Sequence, residues 1–390
     1  MKRILRSNIL LLTMVVACIN VYAQDKDRFS PINTAIPSLS IAPDARGGSM
    51  GDNGVATLPD INSQYWNPAK YAFMVSKAGI SVSYTPWLRK LVSDVALTNL
   101  TGYYKIGQSD RLAVSGSLRY FSLGEVPEYD YGGKLYNNLN PYEMAIDASI
   151  SMKLSEASSM AVSVRFIRSD MGADAEEDLQ PDNGIAVDIA GYTEKYVYLG
   201  NTESLWSAGY NISNIGSKIS FDGGASQQFL PANLKIGTGL LYPLDEYNQI
   251  GFYLDLNKYL VPSYPIRLED EDENVFEKRR DDYNSMSSVT GVFKSFSDAP
   301  GGFSEELKEV NLSFGAEYSY NSQFFVRGGY YYENKMKGNR QYFSFGAGFK
   351  LNVFQLDAAY LVSTVQSNPL DQTLRFSLSF DMDGLKSLFE

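Results

Sequence analysis

Between Met144 and Leu154 the sequence alternates without a break. Met144, Ile146, Ala148, Ile150, Met152 and Leu154 share one parity, and Ala145, Asp147, Ser149, Ser151 and Lys153 share the other. A period of two means a strand whose successive side chains point to opposite faces. One of those faces is apolar from end to end. In a water-soluble sandwich such a face packs on a second sheet. In an outer-membrane barrel it meets lipid, and Asp147 and Lys153 line the interior.

The pattern recurs from Ala78 onward in about fourteen runs, from 78–86 to 372–381, each near the roughly 9 to 11 residues of a tilted membrane strand. Val310, Leu312, Phe314, Ala316 and Tyr318 oppose Asn311, Ser313, Gly315 and Glu317, and Leu374, Phe376, Leu378 and Phe380 oppose Thr373, Arg375, Ser377 and Ser379. The connections are sorted by length. Tight turns at 107–110, 155–158, 200–203, 243–246, 321–322 and 352 follow even-numbered runs, and longer loops at 123–141, 171–183, 215–233 and 261–308 follow odd-numbered ones. Short turns at one end and long loops at the other belong to a transmembrane antiparallel β-barrel, with the turns in the periplasm and the loops outside. An N-terminal segment that starts in the periplasm, followed by an even number of strands, returns the C-terminus there.

Residues 1–23 combine Lys2, Arg3 and Arg6 with an apolar run from Ile9 to Val16 and small Ala23, the pattern of a secretory signal cleaved before Gln24. Cys18 loosely fits a lipoprotein processing site, but it reads more simply as part of the apolar core of the signal. Taking the three leader cations from the formal −11 leaves −14, and with a pI near 4.8 this argues against a nucleic-acid partner. The mature chain has no cysteine and no histidine. Disulfides, thiolate or imidazole metal sites and Ser-His-Asp triads are therefore excluded. No later apolar run approaches the roughly 20 residues of a membrane helix.

Residues 25–43 read as an extended polar arm. A glycine-dense stretch with Gly47, Gly48, Met50 and Gly51 follows, closed by Trp66, Asn67 and Pro68, and it suits a segment folded compactly inside something else. It lacks the Gly-Lys-Ser/Thr of a phosphate loop. In the loop 261–308 the acidic run 269–273 has no EF-hand spacing, so no metal is assigned and a solvated charged loop is expected around 269–282. A short helix follows near Phe303, with Ser304 as its cap and Leu307 turned inward. Paired tyrosines at Tyr103-Tyr104 and Tyr330-Tyr331-Tyr332 are expected in an interfacial girdle, and Trp87 as a rim anchor or a partner contact.

The Gly-rich segment ending in Trp66-Asn67-Pro68-Ala69, followed by strands, resembles the N-terminal plug region of the FadL-type fatty acid transporter superfamily of fourteen-stranded barrels. Five blocks resemble the PorV (LptO) family of the Bacteroidetes type IX secretion system: APDAR at 42–46, WNPAKYAF at 66–73, SYTPWL at 83–88, FKSFSDAPGGF at 293–303 and YENKMKGNR at 332–340. The resemblance implies an all-β, FadL-like barrel in the outer membrane with a plug and long extracellular loops. It also implies secreted cargo that carries a C-terminal signal domain, the large translocon pore, and an attachment complex with a sortase-like peptidase as partners. The expected organisation is signal 1–23, arm and plug 24–77, barrel 78–381 and periplasmic tail 382–390.

Three functions compete. A non-enzymatic shuttle would receive cargo on its loops, for which Trp87, Leu88, Phe293, Phe296, Phe303 and Leu307 are the candidate contacts. A channel for hydrophobic small molecules needs an apolar lumen, whereas Asp147, Lys153, Arg165, Glu317 and Arg375 point inward unless they pair to fill it. An envelope-lipid enzyme finds no catalytic constellation, and no cofactor is implied.

Overall fold

A computed structural model describes residues 29–88, 92, 94–107, 111–172, 181–220, 227–267, 271–365 and 370–382. The signal 1–23, Gln24, acidic residues 269–270 and tail residues 383–390 lie outside the described residues. Sixteen strands are found among those described: β1 (Ala78–Pro86), β2 (Val95–Ile106), β3 (Leu112–Leu123), β4 (Val126–Tyr129), β5 (Leu135–Leu139), β6 (Tyr142–Lys153), β7 (Ser158–Asp170), β8 (Asp182–Leu199), β9 (Thr202–Gly216), β10 (Asn233–Pro243), β11 (Asn248–Tyr259), β12 (Val310–Tyr320), β13 (Phe324–Tyr332), β14 (Gln341–Leu351), β15 (Phe354–Ser363) and β16 (Leu374–Asp381). Fourteen of them close into one antiparallel barrel in which β1 pairs with β16, while β4 and β5 form a separate ribbon in the loop between β3 and β6.

The register turns the alternation into two surfaces. Ile146 lies opposite Leu118 and Phe166, all exposed on the outer wall, and Asp147 lies opposite Ser117 and Arg165 on the inner one. Outward Ile150, Val164, Leu254, Phe314, Phe345 and Phe376 continue the apolar surface around the wall. A continuous exposed apolar belt of this kind marks contact with hydrocarbon rather than water. No helix among the described residues is long and apolar enough to cross a membrane.

Turns follow β2, β6, β8, β10, β12 and β14, and the longer connections are at the other end. Asn321 and Ser322 both have φ of 52°, and Gln323 N–H donates to Tyr320 O across them. These two left-handed residues make the reversal in the three-residue connection 321–323, whose ends Tyr320 and Phe324 pair directly.

The N-terminal segment departs from expectation. Instead of starting at the short-turn end, it starts among the long loops: Ser30 N–H donates to Met336 O and Ala35 N–H to Phe229 O, each at 2.8 Å. The chain then passes through the bore and leaves beside the β2 turn, where Lys105 Nζ donates to Met74 O at 2.8 Å. Inside, Ala35, Ile36 and Leu39 pack against Ala145, Ile167 and Ile219 of the wall and loops, and Tyr71 stacks on Tyr103 with centroids 5.0 Å apart.

The long loop also differs. Residues expected to form a solvated charged loop make the helix Glu273–Ser285, capped by the Asp272 carboxylate on Asn274 N–H. Its far end is anchored by Tyr283, edge-on to Phe229 and Tyr264 at 5.4 and 5.1 Å. The helix Ser288–Lys294 follows, and Phe303–Lys308 is helical as expected. However, Gly302 rather than Ser304 occupies its cap position, and Leu307 is 57% exposed rather than turned inward. The tyrosine girdle holds for alternate residues only: Tyr104 faces out, while Tyr103 and Tyr331 are buried inside.

Candidate functional site: the filled lumen and the long-loop rim

Many inward charges of the barrel are paired, several of them through the inner segment. Arg46, in the short helix Ala45–Gly48, donates to both Glu317 oxygens at 3.0 and 3.1 Å and to Asp60 at 2.8 Å. Glu317 also accepts from Arg327 at 2.5 Å, and Arg327 reaches Asp357 at 2.6 Å. On the opposite wall Arg165 bridges Asp147 and Asp188 at 3.2 and 2.8 Å. Arg375 meets Asp52 at 2.9 Å, and Tyr342 donates to the same carboxylate at 2.6 Å. Pairing and hydrogen bonding of this kind offset the cost of burying charge. Inward Lys153 instead lies over the Phe73 ring, 4.4 Å from its centroid.

The residues singled out in the Gly-rich segment meet one another here. The ring of Trp66 lies where a Cβ on Gly47 or Gly54 would overlap it, and its indole N–H donates to Asp44 at 2.6 Å. Asn67 donates to Val55 O and Gly191 O at 3.0 and 2.9 Å, tying segment to wall, and Pro68 opens the 3₁₀ turn Pro68–Phe73. Met50 is fully buried against Gly315 and Gly329, Gly51 N–H donates to Ser344 Oγ at 2.7 Å, and Gly48 abuts Arg375. Asp44, Asp60, Lys70 and Asp255 escaped sequence reading: the first three are joined to partners within the folded segment itself, and Asp255 to partners far along the chain. Asp255 accepts from Gly54 and Val55 amides about two hundred residues away, at 2.8 and 3.0 Å.

At the long-loop end a second ionic knot fastens the helical loop. Lys258 at the end of β11 contacts Glu306 and Glu309 at 2.9 and 2.5 Å, and Lys337 contacts Glu305 and Glu309 at 2.5 and 3.0 Å. Partly buried Lys337 is held above the usual lysine range by these carboxylates, against the opposing effect of burial. Asp298 accepts from Ser263 N–H at 2.8 Å, and burial pushes its carboxyl up to about 6.

This knot presents Phe293, Phe296, Phe303 and Leu307 outward, each at least half exposed. Trp87 and Leu88 lie elsewhere on the same end. Trp87 packs on the cluster of Ile41, Val95, Leu97 and Phe121, and both residues line a mouth cavity of about 470 Å³ together with Arg340 and Arg375. At the short-turn end a basin of about 710 Å³ is lined by Arg46, Asp60, Phe73, Met74, Arg327 and Phe354.

The model of the type IX secretion system protein PorV family matches residues 23–266, more than half of the chain and all of the inner segment described above. The chain belongs to the PorV family. It is accordingly an outer-membrane protein of the type IX secretion system. Among solved structures, the Pseudomonas putida toluene transporter TodX is similar with a TM-score of 0.51 at 10% identity, over 90% of this chain and 99% of that one. A Pseudomonas aeruginosa FadL homologue matches at 0.45 and 11%, over 90% and 99%. The likeness to TodX shows the fold, a FadL-like outer-membrane barrel. No curated protein sequence matches. The PorV match ends before the blocks at 293–303 and 332–340, which hold the exposed rim phenylalanines and the Lys337 knot.

Proposed function

We propose that this PorV-family barrel is a non-enzymatic carrier. It takes cargo bearing a C-terminal signal domain from the large translocon pore and delivers it to a cell-surface attachment complex that contains a sortase-like peptidase. The observation that carries this reading is the contrast between a lumen filled by residues 35–73 and a long-loop rim that leaves large apolar side chains uncovered. Phe293, Phe296, Phe303 and Leu307 are the contacts through which a strand-rich domain docks, and Trp87 and Leu88 form the wall of the mouth beside it. The acidic residues of the loop govern association rate more than affinity. Residues 24–77 act as the plug, with Gly47, Gly48, Met50, Gly51, Trp66, Asn67 and Pro68 as its packing motif.

The test is purification of the intact protein from detergent-solubilised membranes, with identification of what accompanies it. Signal-bearing cargo together with secretion-machine subunits is the expected result, and recovery of neither overturns the proposal. A second reading, a channel for hydrophobic small molecules, is favoured by the 470 Å³ and 710 Å³ cavities at the two ends of the bore. A deletion strain that secretes normally but loses uptake of such compounds would favour the channel. Cargo trapped in the periplasm would favour the carrier.

A further inference from the structure

Between the inner segment and the wall of β3, β6, β7, β9 and β10 lies a small cavity of about 20 Å³, roofed by Leu39 and Ser40 and lined by three cations, Arg119, Arg165 and Lys235, and one carboxylate, Asp147. The three cations are not equally compensated. Arg165 is saturated by Asp147, Asp188 and Asn214, and Asp147 is used up on Arg165, Gln64 and Ser117. Lys235, 7% exposed, makes no ion pair among the described residues. Its ammonium lies over the rings of Tyr65 and Trp66, 4.3 and 5.0 Å from their centroids. Arg119, 5% exposed, lies over the same Tyr65 ring at 4.7 Å and donates to the carbonyl of Ser38 at 2.5 Å, again with no ion-pair partner among the described residues. The nearest acids engage one oxygen each elsewhere, Asp255 Oδ2 with the Gly54 and Val55 amides and Glu143 Oε2 with Ser38 N–H, and neither forms an ion pair with Lys235 or Arg119 among the described residues.

Two buried cations that both lie over the Tyr65 ring and make no ion pair among the described residues are costly in a low-dielectric interior, and a mobile counter-charge relieves that cost. The space exceeds the roughly 10–15 Å³ that a single water needs and is far too small for an acyl chain, so its occupant is a small ion or water. We propose that this cavity binds a monovalent inorganic anion of chloride's size between Lys235 and Arg119. Because Arg119 also holds the Ser38 carbonyl, the anion fixes the 37–41 turn that separates the mouth from the bore.

The test is a structure of the mature, detergent-purified protein with chloride replaced by bromide, read by anomalous scattering, beside thermal unfolding in chloride and in gluconate at equal ionic strength. The expected results are a bromide peak between Lys235 and Arg119 and an unfolding temperature that rises to a plateau with chloride but not with gluconate. Both should be lost in Lys235→Met. A cavity that holds only water in the parent protein overturns the proposal without reference to any variant. So does a chloride dependence that is the same in Lys235→Met.

Discussion

The bore and the rim of this barrel solve opposite problems. In the bore, charge is buried and much of it is matched in networks such as the Arg46–Glu317–Arg327–Asp357 chain. At the rim a few buried charges act as fasteners, through Lys258 and Lys337, and large apolar side chains are left uncovered beside the charged helix: Phe293, Phe296, Phe303 and Leu307. The difference separates stability from recognition. Mutation in the bore should be felt by the fold, and mutation at the rim by partners.

The sharpest way to break that division is Glu317→Ala. It removes the carboxylate that Arg46 and Arg327 share, leaving each buried guanidinium with only its second acid, Asp60 or Asp357, and with N–H groups unpaired, and should cost about 3–5 kcal/mol, measured by urea unfolding of the folded band in detergent. Next is Gly329→Ala. A Cβ there would collide with the backbone of Met50 and Gly51, so a loss of about 1–3 kcal/mol from overpacking is expected, together with faster proteolysis of the inner segment. If either variant unfolds like the parent, the bore is not where the stability lies.

Asp298 tests the boundary between the two regions. Burial is the main cause of its raised carboxyl, partly offset by the Ser263 amide and reinforced by the charges of Glu306 and Glu309. The folded loop therefore holds this proton more tightly than the unfolded chain does. Its contribution favours the docked loop below about pH 4 and is lost as the pH rises towards about 6. Hydrogen exchange at Ser263 should quicken over that interval, and Asp298→Asn should flatten the response. The smallest effect on stability, within about 0.5 kcal/mol, is expected from the quadruple alanine variant at Phe293, Phe296, Phe303 and Leu307. Its barrel should migrate normally while cargo recovery falls, and unchanged recovery would remove these residues from the proposed docking surface.

Strand number and loop sorting could be read from the sequence because a wall between lipid and a polar lumen imposes its period on every segment. The helix Glu273–Ser285 could not, since it buries only Tyr283 and so carries no apolar stripe. The ribbon β4–β5 hid for a similar reason: its residues are nearly all exposed, and Pro127 and two glycines at its turn resemble an ordinary loop. Dense glycine pointed to the inner segment, but not to its electrostatic partners. Arg46 and Glu317 are 271 residues apart and meet only because the barrel closes in one register.

The path of residues 30–77 has a mechanical consequence. A thread that enters among the loops, runs the length of a closed ring of strands and then becomes the first strand of that ring is interlocked with it, like an axle whose end is welded to its own wheel. Sideways escape would require unzipping the β1–β16 seam, so the thread can be withdrawn only lengthwise, towards the end where it continues into the wall.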